Sequence, residues 1–131
     1  MLFCNIDLLD ENFECKRGQY VGVKNGKIAY IGDAEPQEDY GERYDGKHRL
    51  LMSGFYNVHS HAPMTLLRGY AENLLLQRWL GEKVFPFEDK IDDEAAYYGT
   101  QLSIAEMLAS GTVSFSDMYF FFDGMMPAIR E

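Results

Sequence analysis

Cysteine is scarce: Cys4 and Cys15 are the only two among 131 residues, and they form no Cys-x-x-Cys pair. Two cysteines cannot staple a disulfide scaffold, so reduced and inert thiols are expected. No apolar run approaches the ~18 residues needed to cross a bilayer. The opening Met1-Leu2-Phe3-Cys4-Asn5-Ile6-Asp7 lacks the basic stretch that begins a secretory signal. Both features lead us to expect a cytoplasmic protein with no membrane partner. Basic residues are few, 12 against 21 acidic, for a net charge of −9 with no basic cluster. A surface of that sign repels phosphate backbones, so nucleic acid is not an expected partner. Internal repeats and low-complexity tracts are missing as well, and no histidine follows His61. What remains is 47% hydrophobic and 15% aromatic, enough to build an ordinary globular core.

The first fifty residues read as short β-strands. Gln19–Val23, Asn25-Gly26 and Lys27–Gly32 form a hairpin signature, because Asn-Gly supplies the positive φ angles of a type I′ turn. Leu2–Leu9 adds a neighbouring strand. Glu35–Tyr44 is polar, carries Pro36 and Gly41, and reads as a surface loop. Asp45-Gly46 is a second turn signal ahead of Leu50-Leu51-Met52, and Gly54 marks a junction where the architecture changes. Beyond it, Leu74–Lys83 reads as a short helix carrying Trp79 and Leu80 and ending near Pro86. Asp92 or Asp93 can cap a longer helix, whose apolar face is expected at Tyr98, Leu102, Ala105 and Leu108. Gly111 stands where a glycine would close that helix. Thr112–Asp117 then alternates apolar and small polar residues as a strand. A strand, helical segments, a helix and a second strand make a βα unit, which implies parallel pairing of the two strands.

The chemistry gathers at Ser53-Gly54-Phe55-Tyr56-Asn57-Val58-His59-Ser60-His61. Side chains alternate faces along a strand, so His59 and His61 project to one side. Two imidazoles on one face of a rigid element make half of a metal site.

The stretch Asn57–Gly69 resembles the first barrel strand and following loop of the amidohydrolase superfamily. Within that superfamily it is similar to the 5′-methylthioadenosine/S-adenosylhomocysteine deaminases and their chlorohydrolase-like relatives. The likeness continues through Ala71–Leu74, Trp79-Leu80, Lys83–Pro86, Glu88-Asp89, Ala96–Thr100 and Asp117-Met118-Tyr119. Upstream it takes in Lys24–Ile28 and Asp45-Gly46. Two positions depart from the pattern: Ser53 stands where the family has proline, and His48 occupies a turn position often held by a small residue.

This resemblance implies an α/β fold: the N-terminal part of a metal-dependent (β/α)8 TIM barrel, preceded by strands of a small β-sandwich domain. Residues 1–53 would belong to the sandwich, and 54–131 would open a barrel that is incomplete in this chain. A complete barrel needs roughly 250 residues. The implied reaction is hydrolytic deamination of an adenine nucleoside (S-adenosylhomocysteine, 5′-methylthioadenosine or adenosine) to the inosine product and ammonia. By resemblance, His59 and His61 are metal ligands for one Zn²⁺ or Fe²⁺ per complete site. Glu88 would accept hydrogen bonds from ribose hydroxyls and Trp79 would wall the nucleoside, against the plainer readings of a solvated loop acid and a core anchor. Arg68 is expected in an internal salt bridge and His48 at the surface. Asp117 ends the second barrel strand, with a direct role and a structural one both open. The family's remaining ligands and its acid/base residues come from later strands, so this chain is expected to be a cut-short segment, inactive alone. The alternatives are an enzyme acting on guanine or a chloro-triazine, or a non-catalytic remnant that associates through uncovered barrel edges.

Overall fold

The computed structural model describes all 131 residues, which fold as two compact units, Met1–Ser53 and Gly54–Glu131. In the first unit β1 (Leu2–Leu9) lies between neighbours on both sides. It pairs antiparallel with β2 (Cys15–Lys24), which turns through Asn25-Gly26 into β3 (Lys27–Gly32). Both turn residues have positive φ, 51° and 71°, as the type I′ reading requires. On its other edge β1 pairs in parallel with β4 (Arg43–Asp45) and β5 (Leu50–Leu51). The strands assigned by resemblance to a sandwich thus form one mixed five-stranded sheet. Leu2, Cys4, Ile6 and Leu8 alternate into its core, the period of two expected of a strand with one buried face. Cys4 is buried and Cys15 exposed, and both are free thiols.

His48 sits in the turn before β5 with φ of 63°. A residue with a Cβ is strained in that left-handed region, which gives a physical reason for glycine there. Replacing His48 with glycine is expected to stabilise the chain by about 1 kcal/mol, read as a higher denaturant midpoint at unchanged slope.

In the second unit β6 (Phe55–Ser60) and β7 (Thr112–Asp117) pair in parallel, as the βα reading predicts, with Ser60 opposite Asp117. The connection begins with a 3₁₀ segment, Ala62–Leu67, which carries Pro63 in its first turn. Next come α1 (Leu76–Trp79), a wide π turn over Leu80–Val84, and α2 (Phe85–Glu88). Here the expectation of a helix stopping near Pro86 is corrected. The Phe85 N–H donates to the Leu80 carbonyl, an i to i−5 bond, so the register widens just ahead of Pro86 and the helical path continues. Asp92 caps α3 (Asp93–Ala109), its carboxylate accepting from the Ala95 N–H at 2.8 Å. Gly111 follows the helix end with φ of 85°. α4 (Phe122–Arg130) packs on α3 through Gly124, where a Cβ would collide with the Asp93 carbonyl oxygen.

Within this chain α3 packs through a face other than the expected one. Ala96, Gly99, Thr100 and Ser103 are buried, while Tyr98, Leu102 and Leu108 are exposed. Close approach decides this. A Cβ on Gly99 would stand 2.8 Å from the Pro63 carbonyl oxygen, so only small residues let the 3₁₀ segment lie against the helix. Thr65 then ties the two together by donating its hydroxyl to the Gly99 carbonyl at 2.8 Å. The core beneath is built from Leu67, Val84, Ile91 and Ala96, with Met64, Trp79 and Phe87 packed around it.

Candidate functional site

β6 ends at Ser60, and His61, with φ of −133° and ψ of 71°, leaves the strand and opens the 3₁₀ segment. The pairing with β7 shifts register between Asn57 and Ser60, and His59 and His61 nonetheless bring their rings together. Their Nε2 atoms stand 3.2 Å apart, with the rings edge to face at 5.1 Å. Without a metal that distance suits one N–H···N hydrogen bond, one ring donating and the other accepting. It also suits a shared ion. The gap is shorter than two zinc–imidazole bonds of ~2.0–2.1 Å laid end to end, so both nitrogens would be within reach of one ion. Imidazole nitrogens are donors that Zn²⁺ or Fe²⁺ prefers, so the residues present fit such an ion. No group of three or more His, Cys, Asp and Glu side chains converges on a point in this chain.

The loop after His61 is held from the neighbouring strand. Asp117 accepts from the Ala62 N–H through Oδ2 at 2.7 Å and from the Tyr119 N–H through Oδ1 at 2.8 Å. One carboxylate thus fixes the backbone immediately after His61 and the backbone leading out of β7. Its place follows from the parallel register, which sets Asp117 beside Ser60. Of the two readings left open for Asp117, the structural one has its partners in view.

Beside the histidines lies a cavity of about 280 Å³ whose lining includes His61, Trp79, Glu88 and Tyr119. Met64, Val84 and Phe85 supply apolar wall. Three of the four site residues expected from the sequence therefore meet on one surface, and the fourth, His59, joins them through His61. Trp79 is half-buried and packs on the core as well, so it anchors the fold and faces the cavity at once. Glu88 is not a solvated loop acid. It is half-buried at the end of α2 and accepts from the Tyr119 hydroxyl at 2.7 Å. Burial, and then the Glu88 carboxylate beside it, push the Tyr119 phenol well above the usual tyrosine range. Tyr119 also sets its ring edge against His61 at 5.9 Å.

Arg68 forms the expected internal pair, its guanidinium gripping the Glu106 carboxylate with two bonds of 2.7 and 2.6 Å. It belongs to the outside of the unit and does not line the cavity. The residue that sequence reasoning passed over is Tyr119. Nothing in its local pattern signals a role, because its partner Glu88 lies 31 positions away.

The amidohydrolase family pattern matches residues 50–131. A 5′-deoxyadenosine deaminase from Methanocaldococcus jannaschii is 39% identical over 125 residues, which is 95% of this chain and 30% of that protein. A 5-methylthioadenosine/S-adenosylhomocysteine deaminase from Syntrophomonas wolfei is 47% identical over 112 residues, 85% of this chain and 26% of the relative. Among solved structures, an adenosine deaminase from Xanthomonas campestris with bound zinc matches 98% of this chain and 32% of its own, at 31% identity and a TM-score of 0.75. An atrazine chlorohydrolase from Arthrobacter aurescens complexed with zinc reaches a TM-score of 0.85 at 16% identity, a likeness of fold alone. The chain spans about a quarter to a third of the length of these relatives and corresponds to their N-terminal portion. With a family pattern that runs from β5 through the histidine strand to the last helix, the chain belongs to the amidohydrolase family.

Proposed function

We propose that this chain is the N-terminal part of a metal-dependent hydrolase that deaminates an adenine nucleoside, such as 5′-methylthioadenosine, S-adenosylhomocysteine or adenosine, releasing ammonia. The observation that carries it is the close His59–His61 pair, with His61 lining a cavity that also presents Trp79 and Glu88. The deaminases among the relatives favour a nucleoside over the free base guanine or a chloro-triazine. In this reading residues 1–53 contribute to a small β domain and residues 54–131 supply the first two strands of a (β/α)8 barrel. The apolar side chains left exposed on β6, β7 and α3, among them Val58, Val113, Leu102 and Leu108, are the surface that a continuing barrel would cover.

His59 and His61 would hold a Zn²⁺ or Fe²⁺ ion through their Nε2 atoms. When bound, the metal supplies Lewis acidity that makes hydroxide available near neutral pH. The chain's own residues bind and orient. Trp79 offers an apolar face to the nucleoside. Glu88 offers carboxylate oxygens to the ribose hydroxyls. Overall, water's oxygen replaces the amino nitrogen on the purine carbon, and the nitrogen leaves as ammonia.

The test is ammonia release from 5′-methylthioadenosine, S-adenosylhomocysteine, adenosine and guanine. It compares the 131-residue chain with a fusion of residues 1–131 to the remaining part of the M. jannaschii relative. The zinc-loaded fusion is expected to deaminate the adenine nucleosides and leave guanine untouched. The chain alone is expected to show no turnover, because two imidazoles hold a metal weakly and no general base is placed to act. Turnover of guanine ahead of the nucleosides, or turnover by the chain alone, would count against the proposal.

A further inference from the structure

Glu88 does not stand free in the cavity. Its Oε1 is taken by the Tyr119 hydroxyl at 2.7 Å. Tyr119 is itself held at several points. It is only 4% exposed, its N–H is donated to Asp117, its ring edge meets His61, and its face stacks on Phe120 at 4.9 Å. A glutamate has three rotatable bonds, and a ligand that must immobilise it loses affinity to that ordering. A phenol fixed by the backbone and two rings removes the cost before the ligand arrives. It donates to one oxygen and leaves the other to accept.

Resting on the function proposed above, we infer that Tyr119 is a positioning residue that presents Glu88 Oε2 to the hydroxyl-bearing sugar of a bound nucleoside. It would act on ligand affinity and not on the bond-breaking step, since it reaches the ligand only through Glu88. The same phenyl ring borders His61, so one residue spaces the sugar-binding carboxylate from the metal-binding imidazole.

The experiment is a double-mutant cycle on the zinc-loaded fusion with 5′-deoxyadenosine as substrate, using Tyr119→Phe, Glu88→Gln and the pair. Tyr119→Phe keeps the ring against His61 and deletes only the donor. It is expected to raise KM about tenfold with kcat within twofold of the parent and with zinc content unchanged. Glu88→Gln should raise KM further, and the pair should be no worse than Glu88→Gln alone, because both act through one carboxylate. Should Glu88→Gln raise KM while Tyr119→Phe leaves it alone, or should the two effects multiply in full, the positioning role is overturned and the substrate role of Glu88 survives. Should Glu88→Gln leave KM unchanged, both ideas fall. A second measurement does not depend on the fusion. In the 131-residue chain the melting-temperature shifts of the two variants are expected to be non-additive, and simple additivity would remove the contact on which the inference stands.

Discussion

Alanine at either His59 or His61 is expected to lower turnover of the zinc-loaded fusion by on the order of 10³-fold or more, a loss equivalent to several kcal/mol of transition-state stabilisation. Zinc measured after gel filtration should fall well below one equivalent in both variants. Their effects on folding should differ in a way that separates the two roles a histidine can play. His59 is exposed on β6, so its removal takes little packing with it, and His59→Ala should unfold close to the parent. His61 is half-buried with its ring against Tyr119, so His61→Ala should also lose an aromatic edge contact of about 0.5–1 kcal/mol. A shared loss of metal with unequal losses of stability is the signature of two ligands on one ion. If His59→Ala kept its zinc and its turnover, the 3.2 Å approach of the two rings would be only a hydrogen bond.

That pair was legible in the sequence because a strand's alternation is strict and a His-x-His spacing reads directly onto it. The hairpin was legible for the same kind of reason, since Asn25-Gly26 names its own turn. The packing of α3 was not. Hydropathy points to Tyr98, Leu102 and Leu108, yet the buried stripe is Ala96, Gly99, Thr100 and Ser103. Small residues carry almost no hydrophobic signal; their value lies in letting backbones approach, which becomes visible only when Pro63 is seen against Gly99. Pro86 misled for a different reason. A proline ends a regular α-helix, but the π turn at Leu80–Val84 shifts the register upstream and the helical path goes on. The contacts around Glu88 and Asp117 were out of reach because they join residues 31 and 55 positions apart. No local pattern encodes a partner at that distance. The parallel pairing of β6 with β7 creates the adjacency, and the chemistry follows from it.

The cost of losing that adjacency should be large at Asp117. Replacing it with alanine strands two amides, that of Ala62, 1% exposed, and that of Tyr119, 4% exposed. Each buried donor left without an acceptor costs about 1–3 kcal/mol, so Asp117→Ala is expected to destabilise the chain by about 3 kcal/mol or more in urea unfolding. Asp117→Asn keeps one carbonyl oxygen and turns an N–H₂ towards the other amide, so it should lose about half as much if the geometry holds. Stability is only the first readout. The Ala62 amide directly follows His61, and the Tyr119 amide carries the ring that borders His61 and the hydroxyl that holds Glu88. A slack backbone at both points should therefore lower zinc affinity and raise the nucleoside KM together in the fusion, although Asp117 touches neither metal nor substrate. A variant that lost stability but kept both affinities would show that the clamp serves the fold alone. Loss of both at a temperature where the variant remains folded would show that one carboxylate at the end of β7 sets the geometry of the site.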